Sequence, residues 1–290
     1  MKRLRGIVLI ALLSCSGVTP PSGRQVTGTS TFATLRPLAE CDPAPPGAVG
    51  PADVSIVIDA SASTSGPSGL DVDLDGTQGQ QPRNRIFPES SDSSDSVLAA
   101  QVASAKLLVD HYRGTGPRFS VVAYSGTNPR DPGRRASSFF IASGLSTDPA
   151  ALGAALDRVE AYGSRGGKVF SAGMFAAMET LTDGGNSPSG SRRLVLFISD
   201  SAQPIVLENE GASRADPPMK DAAQQAINRG IKFHTFGLPD PVYPPGVPGA
   251  ASAPLPHALS QIAGATGGTY HAVPDFRELG CALASSLSPQ

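Results

Sequence analysis

The chain has 290 residues, 40% of them hydrophobic and 17% charged, enough apolar material for a packed core, which excludes wholesale disorder. A net charge of −2 with both signs interspersed excludes nucleic-acid binding through a broad basic surface, and the absence of Trp with 6% aromatics argues against a platform for stacked bases. Four His and three Cys are too few for a zinc centre built from several such ligands.

At the start of the chain, Lys2, Arg3 and Arg5 precede an apolar run from Ile7 to Leu13. The run is shorter than the roughly 20 residues a bilayer span needs and has the layout of a secretory signal. Leu12-Leu13-Ser14-Cys15 resembles a bacterial lipobox, the alternative being an ordinary signal with an incidental Cys. The resemblance implies removal of residues 1–14, lipidation of Cys15 and a change of net charge from −2 to −5. It also implies an exported protein lipid-anchored to the cell envelope, with Ser16 favouring the outer membrane or cell surface. Residues 15–52, rich in Thr, Ser, Pro and Gly, read as a tether. Once Cys15 is lipidated, Cys41 and Cys281 remain as an even pair in an oxidising compartment. A disulfide between them is expected, rather than two unrelated thiols.

From Asp53 to the end the chain reads as one domain. Val54 to Ile58 is a β-branched run that stops at Asp59, a strand feeding a loop. A polar insertion covers about 65–92. A helix is predicted over Ser96–Tyr112, a strand over Phe119–Tyr124 and a weaker one over Ser137–Ala142. Helical patterns follow at 148–161 and 170–182, then a strand over Leu194–Ile198 that runs into Ser199-Asp200. Beyond it are a helix over 214–229, a strand over Ile231–Phe236 and a Pro-rich insertion over 238–256. Leu255–Ala265 reads as helix, Gly268–Ala272 as strand and Asp275–Leu287 as helix. Apolar strands alternating with helices indicate an α/β, Rossmann-like, doubly wound and mostly parallel sheet with helices on both faces. Ligands of such sheets bind outside the carboxyl ends of the strands, where Asp59 and Asp200 both fall.

Asp59-Ala60-Ser61-Ala62-Ser63 sets a carboxylate and two hydroxyls in one loop, the oxygen chemistry a hard divalent cation takes. A helix cap with a Ser-rich turn is the simpler alternative. From Asp53 to Leu287 the chain resembles a von Willebrand factor type A (VWA) domain. Asp59, Ser61 and Ser63 match the first part of that family's metal-ion-dependent adhesion site, and Asp200 matches its last Asp. Gly230–Gly237 and Ile262–Tyr270 resemble its fifth strand and its helix-to-strand turn. The resemblance implies an Mg2+ or Mn2+ site at which a carboxylate of a protein ligand completes the coordination.

One position departs from the family. Gly166-Gly167-Lys168 stands where a Gly-Gly-Thr loop supplies a Thr ligand. An ammonium 4 Å from a cation is repelled by roughly 4 kcal/mol at an effective dielectric near 20. Lys168 swings away, Ser171 or Ser164 substitutes for the Thr, or the ammonium takes the cation's place between Asp59 and Asp200. In the insertion, Asp71, Asp73 and Asp75 with Gly76 match the opening of a calcium loop. Glu89, Asp92 or Asp95 would complete a Ca2+ shell; a solvated acidic turn is the alternative.

The sequence has no Gly-x-Ser-x-Gly elbow. Nothing in it places His111, His234, His257 or His271 beside the two acids as a base. The expectation is a non-enzymatic adhesion module that binds a protein ligand and reaches the membrane through its lipid. A structural part of an envelope assembly with a Lys–Asp site, and less favoured a metal-assisted hydrolase, are the alternatives.

Overall fold

The computed structural model describes residues 32–81, 89–126, 139–183, 187–200, 217–239 and 256–288. The signal, Cys15, residues 82–88 of the first insertion and most of the second insertion lie outside them.

Six strands form one sheet in the order β3-β2-β1-β4-β5-β6. They are β1 (Ala52–Asp59), β2 (Pro117–Tyr124), β3 (Phe139–Ser146), β4 (Arg192–Asp200), β5 (Ile231–Leu238) and β6 (Tyr270–Ala272). Five are parallel, and β3 runs antiparallel to β2 at one edge. β1 is buried at every position, as a central strand covered on both faces must be. Register shifts between β2 and β3 carry β3 four residues beyond its predicted end.

The helices are α1 (Val97–His111), α2 (Pro149–Tyr162), α3 (Phe170–Asp183), α4 (Pro217–Asn228), α5 (Pro256–Thr266) and α6 (Leu279–Ser285). Ser96 caps α1 and Asp148 caps α2, each side chain accepting a free N–H of the first turn. Alternation along the strands splits the core in two. Val54, Ile56 and Ile58 face the layer of α1, α2 and α6. Val57, Val195 and Phe197 face the layer of α3, α4 and α5. The predicted last helix is instead a 3₁₀ turn, Phe276–Glu278, followed by α6.

The expected tether is shorter than its composition suggested. From Phe32 the chain lies on the domain: Leu38 and Val49 are buried in the core, Arg36 pairs with Glu278 at 3.0 Å, and the Ala33 carbonyl accepts the N–H of Asp71. Cys41 and Cys281 form a disulfide with Cα atoms 5.5 Å apart. A few apolar anchors and one covalent link hold a segment that has no periodicity to reveal it.

Candidate functional site

The sheet order reverses direction between β1 and β4, and the crevice at such a point is where doubly wound sheets place ligands. Asp59 ends β1 and Asp200 ends β4; both are buried. Asp59 is held from all sides. Its Oδ1 accepts the Ser61 N–H at 2.9 Å and its Oδ2 accepts the Ser199 hydroxyl at 3.0 Å. Its backbone N–H donates to Gln101 Oε1 at 3.0 Å, and Gln101 Nε2 donates to its carbonyl at 3.1 Å. Gln101 is fully buried inside α1 and ties that helix to the end of β1. Burial, then the Asp59 charge, pushes the Tyr124 phenol well above its usual range.

The loop ahead of α3 is laced onto the loop after β1. Ala62 N–H donates to the Gly166 carbonyl, Arg165 N–H to the Ala60 carbonyl, and the hydroxyls of Ser164 and Thr64 meet at 2.7 Å. Gly126 lies so close to this loop that a Cβ there would meet the Gly167 backbone at 2.7 Å, and only glycine fits. This lacing delivers Lys168 into the crevice, its side chain 2% exposed. Its Nζ stands 3.2 Å from Asp59 Oδ2 and in direct contact with Asp200 Oδ1, and donates to the Asp200 carbonyl at 2.8 Å. An ammonium has three donors, and three oxygens surround this one.

Asp59 and Asp200 therefore meet around Lys168, with Ser61 held against Asp59 and Ser63 against Ser61. Ser61 Oγ and Ser63 Oγ are 3.0 Å apart and bond to each other. Of the two proposed substitutes for the missing Thr, Ser164 is engaged by Thr64 and Ser171 is buried at the start of α3. An Mg2+ or Mn2+ ion does not fit this residue set, because an ammonium already lies between the two carboxylates it would bridge and would repel it.

In the insertion the carboxylates that gather are those of Asp71, Asp73 and Asp95, within 4.8 Å of one another. Asp75, expected among them, instead accepts the N–H and hydroxyl of Thr77. Asp95 takes its place, accepting N–H bonds from Val72 at 2.6 Å and Gly79 at 2.8 Å. Burial pushes the Asp95 carboxyl up; those two N–H groups oppose it, while Asp92 and Asp73 add to it. Of the described imidazoles, His111 ends α1, His234 lies within β5, and His271 stacks on Phe236 in β6.

The strand order, the antiparallel edge strand and the two acids at the central crevice point to one architecture. The fold is that of a von Willebrand factor type A domain. Solved structures of the VWA fold align over most of the chain. An aerotolerance-related membrane protein from Bacteroides fragilis is 14% identical with a TM-score of 0.51, over 81% of this chain and 98% of its own. A von Willebrand factor type A protein from Catenulispora acidiphila is 17% identical with a TM-score of 0.50, over 82% of this chain and 43% of its own. The pilus adhesin SpaC from Lactobacillus rhamnosus GG is 14% identical with a TM-score of 0.51, over 82% and 30%. At these identities the likeness is one of fold. No protein-family model and no curated protein matches the sequence.

Proposed function

We propose that this protein is an exported, non-catalytic VWA-type module that binds a protein ligand at the cell envelope without a divalent cation. One observation carries the reading. The Lys168 ammonium is buried between Asp59 and Asp200, so neither a metal nor a partner's carboxylate has a place there. Specificity then falls to the segments that follow β1 and β5 at the same edge, about 65–92 and 238–256, as it does wherever loops sit on a rigid scaffold. The fold shared with a pilus adhesin supports protein binding, and the Cys41–Cys281 bond supports an oxidising compartment. No helix among the described residues is long and apolar enough to cross a membrane. A second reading, a structural part of an envelope assembly, draws on the same ion pair, since it joins two loops rather than presenting chemistry.

Calorimetry with Mg2+ and Mn2+ is expected to give no heat that Asp59→Ala removes. Crosslinking in envelope extracts is expected to capture the same partner in EDTA as in Mg2+. Asp59-dependent heat, together with a partner lost on chelation, would overturn the proposal.

A further inference from the structure

At the opposite end of the sheet, where β4 and β5 begin, lies a cavity of about 460 Å³, within the size range of small-molecule sites. Arg192, Arg193, Lys232, His234, Ser191 and Ser286 line it, and among the described residues no Asp or Glu does. Leu194 pairs with Lys232 and Leu196 with His234 across the two strands. Arg192, Lys232 and His234 therefore project from one face of the sheet, while Arg193 alternates to the other, where its charge acts on Asp53. The neighbouring carboxylate is already engaged: Asp53 accepts from Arg118 at 2.7 Å and from Ser187 at 2.5 Å. Arg192 donates to the Leu287 carbonyl at 2.9 Å, a contact that fixes the guanidinium without neutralising it.

Two neutral groups in the same wall are unusual. Ser191 Oγ and His234 Nδ1 are buried without a hydrogen-bond partner among the described residues, and His234 is 2% exposed. Such groups are rare in folded proteins and call for a physical reason. The surroundings are strongly positive: burial, then the charges of His271, Lys232 and Arg192, lowers the His234 imidazole to about 4.

We propose that this cavity binds the phosphoryl group of an anionic ligand. Two cations on one face, Arg192 and Lys232, with no lining acid among the described residues, match a doubly charged anion better than a single carboxylate. The planar fork of Arg suits phosphate oxygens, and Ser191 Oγ and His234 Nδ1, buried in the cavity wall, would join as uncharged partners on rotating toward the ligand. The phosphoryl group belongs either to a soluble phosphate ester or to an anionic lipid headgroup.

The test uses the full chain in two arms. Calorimetry follows inorganic pyrophosphate, and flotation follows vesicles of phosphatidylglycerol in phosphatidylcholine against phosphatidylcholine alone. Lys232 is exposed, so Lys232→Gln keeps the fold, which an unchanged melting temperature verifies. The substitution is expected to weaken pyrophosphate binding about tenfold, as is Arg192→Gln, whereas Lys106→Gln, on α1, leaves it unchanged. Pyrophosphate binding without flotation identifies a soluble ester. Flotation that depends on Lys232 and is competed by pyrophosphate identifies a headgroup. Absence of binding in both arms, or binding indifferent to Lys232 and Arg192, overturns the proposal. Because none of these residues is at the Asp59 rim, the result is independent of the protein-ligand reading.

Discussion

Replacing Lys168 tests the rim most directly. The ammonium lies 3.2 Å from Asp59 Oδ2 and touches Asp200. At an effective dielectric near 20, each such pairing has a raw Coulomb term of roughly 5 kcal/mol. Desolvation consumes much of that gain in the wild type, but removing one partner leaves the other charges buried and uncompensated. The expected loss for Lys168→Met is therefore about 3–5 kcal/mol, a fall in melting temperature of roughly 6–20 °C for a domain of this size. Lys168→Thr should fall by a similar amount without metal. That variant vacates the space between the carboxylates and adds a hydroxyl, so Mg2+ at about a hundred times its Kd should return about 2.7 kcal/mol. Wild type should gain nothing from Mg2+ at this site. Thermal melts of the three chains with EDTA and with Mg2+ decide the matter. The reasoning fails if Lys168→Met melts with the wild type, or if wild type gains as much from Mg2+ as Lys168→Thr.

Other predictions are simpler to read. Gln101→Met leaves the Asp59 N–H and carbonyl without their side-chain partner and should cost about 2–4 kcal/mol in denaturant melts. His234 accepts a proton near 6.5 when unfolded but only near 4 when folded. Between those values the unfolded chain binds more protons, so stability falls as pH falls. From pH 7 to 5 the loss should be about 2 kcal/mol, and His234→Gln should flatten that part of the curve. Cys41→Ser opens a loop closed across a separation of 240 residues and should cost up to about 5 kcal/mol by the chain-entropy account, measured under non-reducing conditions. If calcium stabilises the insertion, added Ca2+ should raise the melting temperature of wild type but not of Asp73→Ala, whose side chain belongs to the carboxylate group; identical responses would remove calcium from this loop.

What could be read from the sequence divides by physical cause. β1 and β4 carry nearly continuous apolar runs that lead to Asp59 and Asp200, and a run that ends in a carboxylate reveals both the strand and its functional edge. Lys168 was readable only as a conflict, because the spacing placed a cation where another belonged; the crevice resolves it by pairing the ammonium with both acids. Gln101 left no signal, since a polar residue in a helical pattern reads as solvent-facing until the helix docks. Ser199 stands out in the sequence only as the residue between the end of the strand and Asp200, although its hydroxyl holds Asp59. Asp75 matched a calcium-loop spacing, but the nearby Thr77 offered its carboxylate a local N–H and hydroxyl. Local hydrogen bonds of this kind compete with longer-range ligation.

The exchange of a divalent ion for an ammonium changes what the rim can do. A bound Mg2+ keeps exchangeable positions in its shell, and a partner's carboxylate can enter one of them. An ammonium has only its three donors, and here all three face oxygens of the protein's own chain. One positive charge against two carboxylates also leaves an excess negative charge, which the Ser61 N–H and the Ser199 hydroxyl help to hold. A further acidic side chain from a partner would meet repulsion rather than a vacant site. The crevice that would present chemistry in a metal-loaded rim instead joins β1, β4 and the loop before α3 into one unit. Under the proposed binding role, recognition would then fall to the surfaces that this unit holds rigid.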